Sequence, residues 1–282
     1  MIILKKALDI TNFLSATKAN NAIIGFVPTM GALHNGHISL ITKAKADTDF
    51  VVCSIFVNPT QFNDSNDFEK YPITIEQDIY LLEKAGCSVL FLPSVDEMYP
   101  NGLKIAHQFE LGFLETILEG KYRPGHFQGV CQVVYRLLEI VLPHKLYLGQ
   151  KDFQQCMVLK KMAAAGYPLL EIIICPTQRE ADGLAMSSRN VRLNSTERKQ
   201  AVKIWSTLEF VKDNIKPGNI NGLKQSAIQY LTTEGFKVDY VEIANINTLD
   251  PLDAWDGKEG YVILIAAFLN EVRLIDNLIF SQ

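Results

Sequence analysis

Residues 21–37, NAIIGFVPTMGALHNGH, decide the fold. The stretch opens with an apolar run, 21–28, which predicts a strand buried on both faces and ended by Pro28. A short turn follows, and residues 36–47 place their apolar side chains at helical spacing. A buried strand that passes through a tight turn into a helix is the opening unit of a parallel α/β sheet.

The same alternation of apolar strands and helices continues to residue 175. Further strands are predicted at 50–57, 88–93, 145–148 and 169–175, and further helices at 74–85, 127–142 and 154–165. Continuous apolar strands are typical of a parallel sheet covered on both faces. The fold class is therefore α/β, with a Rossmann-like parallel sheet that binds its ligand at the carboxyl ends of the strands.

The pattern changes after about residue 178. Helices are predicted at 194–214 and 221–234, and strands at 238–243, 261–268 and 272–279. Two helices followed by a cluster of strands indicate a smaller α+β domain. We expect a nucleotide- and substrate-binding domain over residues 1–177 and a small lid domain over residues 178–282.

Composition narrows the function classes. The chain has 282 residues and a formal net charge of −4, which lacks the basic footprint of a nucleic-acid binder. The five cysteines are dispersed, which indicates buried thiols in a reducing compartment rather than disulfides or zinc ligands. The N-terminal residues show neither a signal peptide nor a membrane span, so we expect a cytoplasmic protein.

The turn at 28–37 has the chemistry of a phosphate site. Gly31 permits a tight turn, and Gly36 lets the backbone approach a phosphate closely. If the helix begins near His34, then His34 and His37 can face the same anion and donate imidazole N–H groups to it. Two surface histidines beside a turn are the bland alternative. A shared zinc is a second alternative, but no partner cysteine or acidic motif stands beside them.

Three further polar segments follow predicted strands or lie at the domain boundary. In FVNPTQF (56–62), Asn58 and Gln61 suit a hydroxyl and a carboxylate of a small ligand, or form a simple turn. In LGQKDFQQ (148–155), Lys151 can bind phosphates and Asp152 magnesium or a ribose hydroxyl, whereas the alternative is a capped helix with a surface Lys–Asp pair.

The third segment is DGLAMSSRN (182–190), where Arg189 can bind phosphate oxygens with its planar fork. A hinge position would let this segment act as a lid, whereas a polar interdomain loop is the alternative. Asp78, on the helix at 74–85, could reach a magnesium ion, although a solvated helix carboxylate is favoured for it.

Together these strings resemble the pantoate–β-alanine ligase family, within the HxGH nucleotidylyltransferase superfamily. The matching strings are PTMGALHNGH, FVNPTQF, YRPGHFQGV, LGQKDFQQ and DGLAMSSRN, which occur in the family's order between residues 28 and 190. The resemblance implies that ATP and Mg²⁺ drive the condensation of pantoate with β-alanine to pantothenate, AMP and pyrophosphate. It also implies a pantoyl-adenylate intermediate and a homodimer formed through the N-terminal domain.

The resemblance further implies roles for individual residues. His34, His37 and Lys151 are the expected catalytic residues, with His37 in an acid-like role. Asn58, Gln61 and Gln155 are expected to bind pantoate, and Gln61 also β-alanine. Asp78 and Asp152 are candidate magnesium ligands. The expected ATP contacts are Met30, Gly31, Ala32, Leu33, His34, Asn35, Gly36, His37, Gly149, Gln150, Lys151, Asp152, the backbone of Gln178, Met186, Ser187, Ser188 and Arg189.

Two other functions are weighed against this one. An HxGH nucleotidylyltransferase that acts on another small, phosphorylated acceptor would need extra Arg or Lys in the acceptor pocket. The acceptor candidates here are neutral amides, which favours a small hydroxy acid. A non-catalytic nucleotide-binding protein would require damaged motifs, and the motifs are intact.

Overall fold

The computed structural model describes residues 1–63, 65–103 and 108–281. Its chain forms two compact units. The first consists of residues 1–150 and 154–176, and the second of residues 151–153 and 177–282. Among the described residues, no helix is long and apolar enough to cross a membrane.

The first unit alternates strands and helices. Its elements are β1 (Ile2–Leu4), α1 (Ala7–Lys18), β2 (Ile24–Thr29), α2 (Asn35–Asp47), β3 (Phe50–Ile55), α3 (Ser65–Glu69), α4 (Ile75–Ala85), β4 (Val89–Phe91), α5 (Val95–Met98), α6 (Leu118–Tyr122), α7 (His126–Val141), β5 (Lys145–Gly149), α8 (Phe153–Gly166) and β6 (Glu171–Cys175). Strands β2, β3 and β4 are almost wholly buried, as continuous apolar strands require.

The six strands form one sheet in the order β1, β4, β3, β2, β5, β6. Every neighbouring pair is parallel. After β2 the chain adds β3 and then β4 on one side of β2, and it later adds β5 and β6 on the other side. This reversal between β2 and β5 is the topological switch point where such sheets bind ligands. The predicted Rossmann-like parallel sheet is confirmed.

The sequence interpretation omitted β1 and α1. β1 is a three-residue strand at the sheet edge, and Ile2 and Ile3 remain partly exposed. An edge strand this short lacks the continuous burial that marks the central strands. In α1 only Ile10 and Leu14 are buried, so its apolar stripe is narrow.

The second unit pairs helices with an antiparallel sheet. Its elements are α9 (Ser195–Ala201), α10 (Lys203–Asn214), β7 (Gly218–Asn219), α11 (Asn221–Thr233), β8 (Lys237–Asn245), β9 (Ala254–Trp255), β10 (Tyr261–Leu269) and β11 (Val272–Phe280). Strand β10 lies between β8 and β11 and is antiparallel to both. The predicted smaller α+β fold is confirmed.

One helix of the second unit differs from the expectation. The segment predicted as a single helix, 194–214, is divided at Val202 into α9 and α10. The predicted start is correct, because the Asn194 side chain accepts the backbone N–H groups of Thr196 and Glu197, both at 2.9 Å. Glu197 returns a contact to the backbone of Asn194, which completes a capping box.

All five cysteines are buried and unpaired by disulfides. Burial raises the pKa of Cys87 to about 11 and that of Cys131 to about 12. Since the thiolate is the reactive species, we expect negligible reaction of the native protein with Ellman's reagent at pH 8 and release of five equivalents in guanidinium chloride. Rapid labelling of any one cysteine in the native protein would contradict this burial.

Candidate active site

The turn between β2 and α2 has a tightly defined backbone. Gly31 and Ala32 both take left-handed conformations, with φ of 80° and 49°. The Thr29 hydroxyl accepts the N–H of Gly31 at 3.2 Å and donates to the carbonyl of Ser54 on β3 at 2.8 Å. The turn is therefore tied to the neighbouring strand at the carboxyl end of β2. We call residues 30–37 the histidine loop.

His34 and His37 cap the start of α2 through reciprocal bonds. The Nδ1 atom of His34 accepts the N–H of Gly36 at 3.1 Å, and the Nδ1 atom of His37 accepts the N–H of His34 at 3.3 Å. The ring centroids lie 4.1 Å apart. A neutral imidazole whose Nδ1 accepts must carry its proton on Nε2. Both rings are thus fixed in the tautomer that can donate from Nε2 to an anion.

Asp78 supports the same loop from the first turn of α4. Its side chain is fully buried, so the favoured interpretation of a solvated carboxylate is wrong. Oδ2 accepts the N–H of Ala32 at 3.0 Å, whereas Oδ1 accepts the N–H of Leu33 at 2.8 Å and the hydroxyl of Thr74 at 3.1 Å. Two backbone donors of the loop therefore serve a protein carboxylate.

Asn58 and Gln61 lie in the turn after β3, where Pro59–Gln61 form one turn of 3-10 helix. Asn58 is buried. Its amide accepts the Tyr99 hydroxyl at 2.7 Å and donates to the carbonyl of Gly129 at 3.1 Å. Gln61 is half-buried, and its Nε2 lies 2.9 Å from the sulfur of Met30. The structure thus brings Gln61 against the histidine loop, while the Asn58 side chain fixes the turn.

α7 packs against this turn at Gly129. A Cβ atom at position 129 would overlap the carbonyl group of Thr60, a backbone group that cannot move aside alone. We expect Gly129→Ala to lower the free energy of unfolding by about 1–3 kcal/mol and to displace Gln61. Denaturant unfolding would measure the loss. Gly222→Ala is the control, because a Cβ there meets open space; equal stability of the two variants would contradict the expectation.

The next predicted segment, 148–155, begins at the end of β5. Gly149 ends β5, which pairs with β2, and Gln150–Asp152 form a 3-10 turn before α8. Lys151 is half-buried, and Asp152 is exposed. Gln154 is a buried residue that the sequence interpretation missed. Its amide accepts the N–H of Glu119 at 2.9 Å and donates to the carbonyl of Leu114 at 2.8 Å, whereas the neighbouring Gln155 is half-exposed.

In the second unit, residues 178–186 form an ordered hairpin. The N–H of Met186 donates to the carbonyl of Gln178 at 3.0 Å, and Arg179 pairs with Ala185. Ser187 then caps a 3-10 turn, Ser188–Arg192, by accepting the N–H of Arg189 at 3.3 Å. The segment is therefore a defined hairpin and turn rather than an irregular polar loop. The Gln178 side chain is exposed, so only its backbone is held by the hairpin.

A second missed pair, Asp276 and Asn277, lies within β11. Both are buried, and the Nδ2 of Asn277 donates to the carbonyl of Lys151 at 2.9 Å. Their signal in the sequence is a pair of adjacent polar residues inside the mostly apolar string VRLIDNLIF (272–280).

The described residues 1–63, 65–103 and 108–281 hold no group of three or more His, Cys, Asp or Glu side chains suited to a metal. Magnesium needs few protein ligands when phosphates supply the others. Asp152 is exposed and fits that requirement, whereas both oxygens of Asp78 already accept hydrogen bonds inside the core. The magnesium assignments for both residues stay predictions.

Comparison with known proteins shows the family of the chain. The sequence profile described as Pantoate-beta-alanine ligase matches residues 2–279. The chain is similar to the pantothenate synthetase of Bacteroides fragilis, at 44% identity over 97% of each chain. It is also similar to that of Fervidobacterium nodosum, at 46% identity over 92% of this chain and 91% of the relative.

Solved structures give the same result. The pantothenate synthetase of Thermus thermophilus superposes with a TM-score of 0.88 at 39% identity, covering 99% of both chains. The pantoate-beta-alanine ligase of Francisella tularensis, solved with beta-gamma ATP and β-alanine, superposes with a TM-score of 0.81 at 41% identity, covering 99% of this chain and 97% of the other. The chain belongs to the pantoate–β-alanine ligase family.

Proposed function

We propose that this chain joins pantoate to β-alanine at the expense of ATP through a pantoyl-adenylate intermediate. In the first step the pantoate carboxylate attacks the α-phosphorus of ATP and pyrophosphate leaves. In the second step the amine of β-alanine attacks the acyl carbon, a proton is lost from nitrogen and AMP leaves. The observation that carries the proposal is the histidine loop at the switch point of the sheet, together with full-length membership of the family.

Charge builds on the phosphate oxygens during the first step. His34 and His37 stabilise this charge by donating hydrogen bonds from Nε2, because their Nδ1 atoms already accept backbone N–H groups of the loop. In this scheme the remaining loop residues, Met30, Gly31, Ala32, Leu33, Asn35 and Gly36, shape the ATP contact. Since Asp78 takes the N–H groups of Ala32 and Leu33, the imidazoles rather than those amides supply the donors.

We assign the acceptor substrate to the amides. Gln61 contacts pantoate and later β-alanine, and Gln155 contacts pantoate. Asn58 is assigned to pantoate as well. Its amide also bonds to Tyr99 and Gly129 and donates to the Oε1 of Gln61 at 3.3 Å, so it holds Gln61 in place too. Neutral amides suit a hydroxy acid, because they offer both donors and acceptors without a fixed charge.

The remaining ATP contacts are assigned to Gly149, Gln150, Lys151, Asp152, the backbone of Gln178, Met186, Ser187, Ser188 and Arg189. Lys151 and Arg189 supply positive charge to the phosphates. Asp152 would hold Mg²⁺ together with the phosphates, and the bound ion would supply charge neutralisation for the departure of pyrophosphate. Residues 178–282 are proposed as a lid, and a homodimer through the N-terminal domain and a cytoplasmic location complete the proposal.

A direct assay tests the reaction. Purified protein with ATP, Mg²⁺, pantoate and β-alanine should release one AMP and one pyrophosphate for each pantothenate formed. Omission of β-alanine should stop AMP release. Release of ADP and orthophosphate, or no turnover, would contradict the proposal. Replacement of pantoate by a phosphorylated cofactor precursor tests the alternative nucleotidylyltransferase, and a stable dinucleotide product would favour it.

Asp78 provides a further prediction, because it holds the histidine loop without facing solvent. Asp78→Asn would turn an NH₂ group toward one backbone N–H and leave that donor unpaired. An unpaired buried polar group costs about 1–3 kcal/mol of stability, and adenylation should slow with it. Glu76→Gln is the matched control, since Glu76 is an exposed carboxylate on the same first turn. Thermal unfolding and pyrophosphate release that are alike in both variants would exclude this role.

A further inference from the structure

A buried polar cluster in the second unit joins β11 to the segment that follows the boundary between the units. Arg179 makes a two-pronged ion pair with Asp276, with Nη1–Oδ2 at 2.6 Å and Nη2–Oδ1 at 3.0 Å. The same guanidinium donates to the carbonyl of Asn277 at 3.2 Å, and the N–H of Asn277 returns to Oδ1 of Asp276 at 2.8 Å. We call Arg179, Asp276 and Asn277 the arginine cluster.

An aromatic ring packs against the guanidinium of the cluster. The guanidinium carbon of Arg179 lies 3.8 Å from the centroid of the Trp205 ring, a cation–π distance. Gly183 approaches the same indole so closely that a Cβ there would overlap the Trp205 ring. Burial raises the pKa of Asp276, and the Arg179 guanidinium opposes that rise. The arginine is therefore held by a carboxylate, by the carbonyls of Asn277 and Gly183, and by a ring.

Three segments assigned to ATP meet this cluster. Asn277 donates to the carbonyl of Lys151, so it fixes the backbone of the lysine that is assigned to the phosphates. Arg179 directly follows Gln178, and it pairs with Ala185, which directly precedes Met186. Arg179 also donates to the carbonyl of Gly183 at the hairpin turn. The arginine cluster thus contacts the backbone at Lys151 through Asn277 and the hairpin bearing Gln178 and Met186 through Arg179.

We propose that the arginine cluster is a positioning unit for ATP, which sets the backbone of Lys151 in register with the Gln178–Met186 hairpin. The proposal rests on the proposed function, because the roles of those segments come from it. A buried ion pair is weak evidence for stability, since apolar residues of similar volume often replace such pairs without loss. A geometric role explains the bonds to Lys151 and Gly183, which an apolar replacement could not make.

The test is ATP binding by the intact protein. Asn277→Leu keeps the approximate volume of the side chain but removes the donor to Lys151. Titration with a non-hydrolysable ATP analogue should show affinity about tenfold weaker, as expected for the loss of one buried hydrogen bond. The KM for pantoate should stay within about twofold. Arg179→Lys keeps the charge but loses the two-pronged guanidinium geometry, and it should give the same pattern. It serves as the test variant if Asn277→Leu does not fold.

The control is the pair Arg273–Asp239, with Nε–Oδ2 at 2.8 Å, which joins β11 to β8 in the same sheet. Asp239→Asn should leave analogue affinity unchanged at a comparable loss of melting temperature. The proposal would be overturned if Asp239→Asn weakened analogue affinity as much as Asn277→Leu does. Unchanged affinity in both Asn277→Leu and Arg179→Lys would also overturn it. Because the titration needs no turnover, inactivity of the wild type with pantoate would count against the proposed function alone.

Discussion

His37→Ala is expected to lower the rate of pantoyl-adenylate formation about 100- to 1000-fold, the usual effect of removing one donor to a developing charge. In the proposed mechanism this variant loses the Nε2 donor to the phosphate, and it also loses the Nδ1 atom that accepts the backbone N–H of His34. The KM for ATP should change much less than kcat, because the interaction grows in the transition state. Rapid-quench measurement of pyrophosphate release gives the rate directly.

Two further variants separate the capping role of His37 from its phosphate role. His37→Asn keeps an acceptor near the position of Nδ1, so the start of α2 stays capped, but it offers nothing at Nε2. His37→Gln places an amide N–H near the position of Nε2. We expect the asparagine variant to be as slow as alanine but more stable, and the glutamine variant to recover part of the rate. A fast asparagine variant would show that His37 serves only the cap.

Lys151→Ala is expected to reduce adenylation by a similar factor, about 100-fold or more, because it removes a full charge from the phosphates. Lys151→Arg should retain part of the rate, since the charge remains while its geometry changes. The readout is again single-turnover pyrophosphate release, with circular dichroism to verify that each variant is folded.

Lys160→Ala is the matched control for charge. Lys160 is an exposed lysine on α8, nine residues further along the chain, so its loss changes net charge equally. Activity in Lys160→Ala should equal that of the wild type. If Lys151→Ala were as active as Lys160→Ala, the assignment of Lys151 to the phosphates would be wrong.

The central strands and the histidine loop could be predicted from sequence because their determinants are local. The apolar strand 24–29, the glycine at 31 and the paired histidines lie within one short stretch. The parallel arrangement of the strands could also be predicted, since buried parallel strands require helical crossovers. The edge strand β1 could not be predicted, because its partner is β4, far along the chain.

The contacts that Asp78 and Asn277 make could not be predicted for the same reason. Asp78 meets the histidine loop across 45 and 46 positions of chain, and Asn277 meets Lys151 across 126. Nothing near Asp78 in sequence distinguishes it from the exposed Glu76 on the same turn. Which carboxylate is buried depends on the packing of α4 against the loop, and only the folded chain specifies that.

The central claim is that pantoate is activated by adenylylation at the histidine loop. The most direct measurement uses pantoate labelled with ¹⁸O in both carboxylate oxygens, with ATP, Mg²⁺, β-alanine and the wild-type protein. One labelled oxygen should appear in AMP and the other should remain in the amide carbonyl of the product. Unlabelled AMP, with the label found in orthophosphate or pyrophosphate instead, would contradict attack at the α-phosphorus and with it the account of the site.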